Sequence, residues 1–180
     1  WIASVGVGVS DLTGTLLKWA AGGGTVVSKR VQCGVVEVAI VNDPWGAMFE
    51  LVQSGTPGLA HVNIVAQQPD AMLEWYSIHL GGDLGDGPRF APERKSLRFS
   101  TGIQLLFSQA RLGTHAPDNA QRRFDHLGFA CRDPTDACTK LAAAGVHIVL
   151  PYEKYGPFAF ACDPAGLWFE VMKPVVSPRL

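Results

Sequence analysis

Apolar and polar positions along this chain repeat one order of elements three times. The last copy shows it best. FDHLGFAC, residues 124–131, reads as a sheet strand. In the following PTDACTKLAAAG, Ala137, Leu141 and Ala144 share one face at i, i+4 and i+7, so a helix is predicted. Asp133 can cap it, Pro134 suits the first helical position, and Asp136 suits the positive N-terminal end. Gly145 is placed to end it in the left-handed conformation. VHIVLPY, FAFAC and LWFEVMK follow as strands. In the middle copy, HVNIVAQQPDAMLEWYSIHLGG, the helix is predicted from Asp70 to Leu80, with Leu73, Tyr76 and Leu80 on one face and Gly81-Gly82 as its stop. In the first copy Ser10-Asp11 precedes LTGTLLKWAAGGG.

The repeat is also written in its turns. NDPWGAMFELVQ, residues 42–53, returns as CDPAGLWFEVMK, residues 162–173, and Asp43 and Asp163 are 120 residues apart. Pro second and Gly fourth are the preferences of a type I turn. The predicted order is therefore β-α-β-β-β over residues 1–54, 59–109 and 124–175, an α+β chain, with the polar segment 110–123 as a linker. A domain boundary is accordingly expected between residues 54 and 55, giving 1–54 and 55–180.

Composition narrows the function classes. Of 180 residues, 47% are hydrophobic and 17% charged, which marks a globular chain able to bury a core. A formal net charge of -1 without a basic patch argues against nucleic acid as partner. The apolar runs fall short of the roughly 20 residues of a membrane span, so no membrane partner is expected. Cys33, Cys131, Cys138 and Cys162 form no C-x-x-C pair, and their scatter suits free thiols in a reducing, cytoplasmic setting.

A-H-V-N-I-V at 60–65, D-H-L-G-F at 125–129, L-A-A-A-G-V at 141–146 and D-P-A-G-L-W-F-E-V at 163–171 resemble the vicinal oxygen chelate superfamily. That superfamily includes glyoxalase I, bleomycin and fosfomycin resistance proteins, methylmalonyl-CoA epimerase and extradiol dioxygenases. The resemblance implies repeated βαβββ modules whose curved mixed sheets pair into a cup-like half-barrel with helices outside. It also implies metal ligands on the first and last strands of each module. The first-strand position is Ser4, His61 or His126 in the three copies; the last-strand position is Glu50, Leu106 or Glu170. The first copy, lacking the histidine, is expected to be structural, with Glu50 a solvated or salt-bridged strand residue.

His61, His126 and Glu170 are thus the expected metal ligands. Strand alternation puts His126, Gly128 and Ala130 on one face of their strand, and Trp168, Glu170 and Met172 on one face of theirs. Two histidines and one glutamate are the donor set of non-haem Fe(II) sites with open positions, so Fe(II) is favoured; Mn, Zn, Ni or Co share the donors. Three protein ligands leave two positions for a catecholate and one for dioxygen, the count of an extradiol ring-cleaving dioxygenase. A glyoxalase I-like lyase, or an isomerase or epimerase, needs a fourth ligand, which Gln104 can supply only if its strand slips in register. In a metal-free binding module of the bleomycin-resistance type, His61 and His126 would line the cup with Asn63 and Trp168. Phe160 stands where fosfomycin resistance proteins place a tyrosine, which lowers that reading. Asn63, Gln104 and Trp168 are the candidate substrate contacts, and His115 and Tyr155 the candidate acid–base residues, ahead of Tyr152 and of His79, which is expected to face solvent. Three modules leave one unpaired, so either a module precedes Trp1 or a homodimer forms.

Overall fold

The computed structural model of the protein describes residues 1–32, 36–88, 92–111, 113, 123–154 and 156–174. The first module is β1 (Ile2–Val9), α1 (Leu12–Ala21), β2 (Thr25–Gln32), β3 (Val36–Asn42) and β4 (Met48–Gln53). The middle module is β5 (Gly58–Ala66), α2 (Pro69–Leu80), β6 (Asp83–Asp86), β7 (Lys95–Arg98) and β8 (Gln104–Gln109). The last is β9 (His126–Ala130), α3 (Pro134–Ala143), β10 (His147–Leu150), β11 (Phe158–Cys162) and β12 (Trp168–Met172). The α+β class and the βαβββ repeat read from the sequence are what the backbone shows.

Local chemistry accounts for the helix starts. Asp11 accepts a hydrogen bond from the Gly14 N–H at 2.9 Å, and Asp133 one from the Asp136 N–H at 3.0 Å. The second helix lacks such a cap and starts on Pro69, whose missing N–H costs nothing there. The repeated D-P-x-G is a turn tied by its aspartate. Asp43 Oδ1 accepts from the N–H groups of Trp45 (2.9 Å) and Ala47 (2.8 Å); Asp163 Oδ1 accepts from those of Ala165 and Leu167, both at 2.9 Å. The glycine closing each turn has positive φ, 87° at Gly46 and 78° at Gly166, which explains its identity.

The chain divides into two compact units, residues 1–124 and 125–180. In the first unit one eight-stranded sheet runs β2-β3-β4-β1-β5-β8-β7-β6. Its middle is the antiparallel pair β1–β5, so the first and middle modules share a sheet across residue 54, where the sequence reading places a boundary and leaves the first module with an open edge. The reason lies in the connection. Only residues 54–57 separate the first two modules, and sequential elements on a short connection usually become neighbours. The second unit is a four-stranded sheet, β10-β11-β12-β9.

Register divides the faces of the large sheet. Val5 and Val7 align with Phe49, Leu51 and Val62; Val62 and Ile64 align with Leu105 and Phe107. This apolar face takes both helices. Leu12 packs with Ala39, Val41 and Leu51, and the Tyr76 ring lies 5.5 Å from Phe107. The opposite face carries Ser4, Gly6, Glu50, His61, Asn63, Gln104 and Leu106. In the second unit Leu127, Phe169 and Val171 are buried with Leu141 of α3, while His126, Gly128, Trp168, Glu170 and Met172 take the other, more open face.

Asp163 is 4% exposed, and its carboxylate serves two backbone donors. Asp163→Ala orphans both and should destabilise the second unit by about 1–3 kcal/mol, measured by urea denaturation. Asp163→Asn, which keeps the accepting oxygen, should recover most of that loss.

Candidate functional site

Five side chains meet on the polar face of the first unit. Glu50, His61, Asn63 and Ser4 are 5%, 2%, 3% and 2% exposed. Glu50 Oε1 accepts from Asn63 Nδ2 at 2.8 Å, Ser4 Oγ at 3.2 Å and Arg94 Nη1 at 3.2 Å. Glu50 Oε2 lies 3.2 Å from His61 Nε2 and accepts from Arg94 Nη1 at 3.3 Å. Arg94 Nη1 also donates to Asn63 Oδ1, and Asn63 Nδ2 donates to Ser4 Oγ at 2.6 Å. An ionised carboxylate only accepts, so His61 donates to it from Nε2.

Backbone register brings these groups together. Glu50, Gly6 and His61 form one row across β4, β1 and β5. Gly6 stands between the other two, and a Cβ added there would overlap the His61 ring. The glycine therefore lets the imidazole lie across β1 and reach Glu50. The β1–β5 register shifts between Ile2 and Ser4 and again between Gly6 and Val7, so irregularities flank the polar row on both sides; such bulges re-aim side chains.

Burial by itself would raise the Glu50 carboxyl. The His61 hydrogen bond and the charges of Arg94 and His61 outweigh it and hold the group below its ordinary value. The carboxylate therefore already has its compensating cation, the Arg94 guanidinium. The fourth ligand position of this sheet is Leu106, fully buried and apolar, and the first is Ser4. These residues do not fit a metal.

The second unit is different. β12 lies parallel to β9 with Trp168 opposite His126 and Glu170 opposite Gly128. His126 Nε2 is 3.5 Å from Glu170 Oε2, and His126 Nδ1 is 2.9 Å from Asp125 Oδ2. A neutral imidazole has one N–H; given to Asp125, it leaves the Nε2 lone pair beside the Glu170 carboxylate. Two donors facing a common space, with a carboxylate behind the ring, is how metal-binding histidines are held. His126 and Glu170 fit a divalent cation as two of its ligands. Their side chains are 30% and 16% exposed, so the pair is reachable. Around it the face is aromatic: the Phe160 ring stands edge-on to His126 at 4.9 Å, with Trp168 at 5.9 Å and Phe158 at 5.7 Å from Phe160.

Among the expected ligands, then, His126 and Glu170 meet in the second unit, while His61 engages Glu50 in the first. Among the described residues no group of three or more His, Cys, Asp or Glu side chains is arranged to hold a metal ion. Glu50 is salt-bridged, and buried as well. Gln104 pairs with His61 without a slip; Leu106, two residues on, stands opposite Asn63 as Glu170 stands opposite Gly128. With its amide oxygen toward the guanidinium, Gln104 accepts from Arg98 Nε at 3.1 Å. Asn63 belongs to the Glu50 cluster, and Trp168 flanks the His126–Glu170 pair. His79 is half-buried against Trp75, 4.8 Å between rings. His115 and Tyr155 lie outside the described residues. The sequence reading missed Arg94, which no spacing signals, and Asp125, which the dipeptide Asp125-His126 does.

Three βαβββ modules, with His61 and His126 on first strands and Glu50 and Glu170 on last strands, define a class. Residues 58–171 match the Glyoxalase/Bleomycin resistance protein/Dioxygenase superfamily, and this chain belongs to it. Its fold is similar to that of glyoxalase I from Zea mays, with a TM-score of 0.73 at 17% identity, covering 96% of this chain and 67% of that one. It is also similar to a glyoxalase/dioxygenase from Nostoc punctiforme, with a TM-score of 0.50 at 20% identity, covering 64% of this chain and 90% of that one. No helix among the described residues is long and apolar enough to cross a membrane.

Gly6→Ala should push the His61 ring off Glu50, detected as a changed His61 imidazole NMR signal and a stability loss in the first unit. Glu50 also sets a pH dependence. Its folded-state pKa is below the unfolded one, so its stabilisation is complete above the unfolded value and lost as pH falls through the folded value. The urea midpoint of the first unit should fall on acidification from about pH 6 to pH 3, and Glu50→Gln should flatten that slope.

Proposed function

We propose that this chain provides the His126–Glu170 half of a divalent-metal site, and that the site converts a small aromatic substrate carrying adjacent oxygens. The favoured reaction is extradiol-type ring cleavage of a catechol. The observation carrying this reading is the convergence of His126 Nε2 and Glu170 Oε2 in an aromatic face, with Asp125 behind the imidazole. Ferrous iron suits one carboxylate and two imidazoles with open positions; Mn, Zn, Ni or Co share the donor chemistry. When bound, the metal would hold the two substrate oxygens as a Lewis acid and bring dioxygen beside them.

The chain's own residues do the rest. Asp125 fixes the ring orientation of His126. Phe160 and Trp168 offer ring edges and faces to a flat substrate and keep water from one side of it. Gly128 leaves space beside Glu170: a Cβ added there would lie 3.3 Å from Met172 Cε and 3.9 Å from Glu170 Oε2. The second imidazole comes from the first strand of a facing module, the position His61 holds in the middle module. A homodimer is one way to bring such a module, and the cytoplasm supplies the reducing setting for ferrous iron and free thiols. His115 and Tyr155 are assigned acid–base roles.

Metal analysis and oxygen uptake with a catechol panel test the reading, with a glutathione–methylglyoxal adduct as comparator. Uptake should require Fe(II) and be lost in His126→Ala and Glu170→Gln, while Asp125→Asn should weaken metal affinity by roughly 10–100-fold. Undiminished uptake in His126→Ala sinks the site. Turnover of the adduct without oxygen uptake moves the reaction to the lyase class, and ligand binding without any metal moves the protein to the binding class.

A further inference from the structure

In the first unit the residues at the family's ligand positions and the atoms around them disagree with a metal site. Glu50 and His61 keep the donors, yet both Glu50 oxygens lie 3.2 and 3.3 Å from Arg94 Nη1, which also donates to Asn63 Oδ1. That nitrogen therefore has three oxygen neighbours, the surroundings of a bound cation. We infer that Arg94 is the resident cation of the first unit: a tethered guanidinium that holds the place of a metal ion, keeps divalent ions out of the Glu50–His61 pair, and makes this sheet a closed structural site.

The argument is one of charge and competition. A carboxylate as buried as Glu50 must be neutralised. A divalent ion there would find one carboxylate, one imidazole and one amide oxygen, because Leu106 and Ser4 fill the other two positions. Three such donors hold a strongly hydrated ion too weakly to displace a tethered guanidinium. A guanidinium is more weakly hydrated and presents its N–H groups in a fixed fork. Arg94 leads directly into β7, whose partner β8 pairs with β5, so the backbone tethers it to the cluster. A tethered group acts at an effective concentration of roughly millimolar or more, above free metal in most settings. The same contacts use up the Glu50 oxygens, leaving none to hold a substrate or move a proton.

The inference does not rest on the proposed function, because it concerns the other unit. Its test uses the full chain with His126→Ala, which silences the second pair, and cobalt(II) and zinc as probes. Titration calorimetry and cobalt absorption should show no stoichiometric uptake in His126→Ala. Adding Arg94→Ala should produce uptake of one equivalent, tightened at least tenfold over the parent. Adding Glu50→Gln as well should abolish it. Arg94→Lys, which keeps a tethered charge, should take up none. If Arg94→Ala fails to fold, refolding with each metal against refolding in chelator decides the matter: rescue by metal supports the exchange, and no rescue overturns it. Glu50-dependent uptake with Arg94 intact overturns it, as does a folded Arg94→Ala chain that takes up no metal.

Discussion

Each module depends on one backbone pairing: its last strand returns to lie parallel to its first. β4 lies beside β1, β8 beside β5 and β12 beside β9, all three parallel. A parallel return needs a long crossover, and the helix and two intervening strands supply it. The pairing sets two positions per module on one face, offset diagonally by two residues. Ser4 and Glu50, His61 and Leu106, and His126 and Glu170 are those positions in the three modules. Everything chemical in the chain is a choice of residue at these six places and of what is brought against them.

The two Glu–His pairs show how a neighbour changes the chemistry of the same residue types. In the first unit the carboxylate of Glu50 faces the guanidinium of Arg94, and the cluster closes on itself. In the second unit His126 stands between Asp125 and Glu170, and both partners are negative. Among the described residues neither ion pair of His126 includes a lysine or arginine, which is the charge setting the proposed metal would balance. The exposures follow the same division. The first cluster's glutamate and histidine are sealed, while the second pair opens on an aromatic face. Among the described residues the second pair is the more exposed of the two.

Much of this was legible in the sequence, and the parts that were not have physical causes. The helix starts at Asp11 and Asp133, the D-P-x-G turns and the strand faces follow from short-range rules, and they appear at the expected residues. The equivalence of Leu106 with Glu170 came from the family resemblance, and the strand register agrees with it. What pairs with what was harder, because strand partners are chosen by connection length and by side chains distant in sequence. The four-residue link before β5 was the available clue to β1–β5. Glu50 could have been flagged by the argument applied to Glu170, since both sit in apolar strands where a bare carboxylate is costly. Arg94 could not, because it reaches its partners 31 and 44 residues away from a bend before β7.

Glycine placement connects the two units' chemistry. Ser4-Val5-Gly6 in β1 and His126-Leu127-Gly128 in β9 put a glycine two residues after the first-strand position. In β1 that glycine is what allows a histidine of the adjoining module, His61, to cross the strand and meet the last-strand glutamate. The middle module has Asn63 there instead, whose side chain joins the Glu50 cluster. β9 repeats the β1 arrangement, glycine and glutamate side by side, and among the described residues it ends its sheet. An imidazole arriving over Gly128 from a facing first strand would approach Glu170 as His61 approaches Glu50. It would there meet a histidine instead of Ser4, and a space flanked by carboxylates instead of a guanidinium. The geometry that the first unit spends on an internal ion pair is, in the second, the geometry required to complete the proposed metal site.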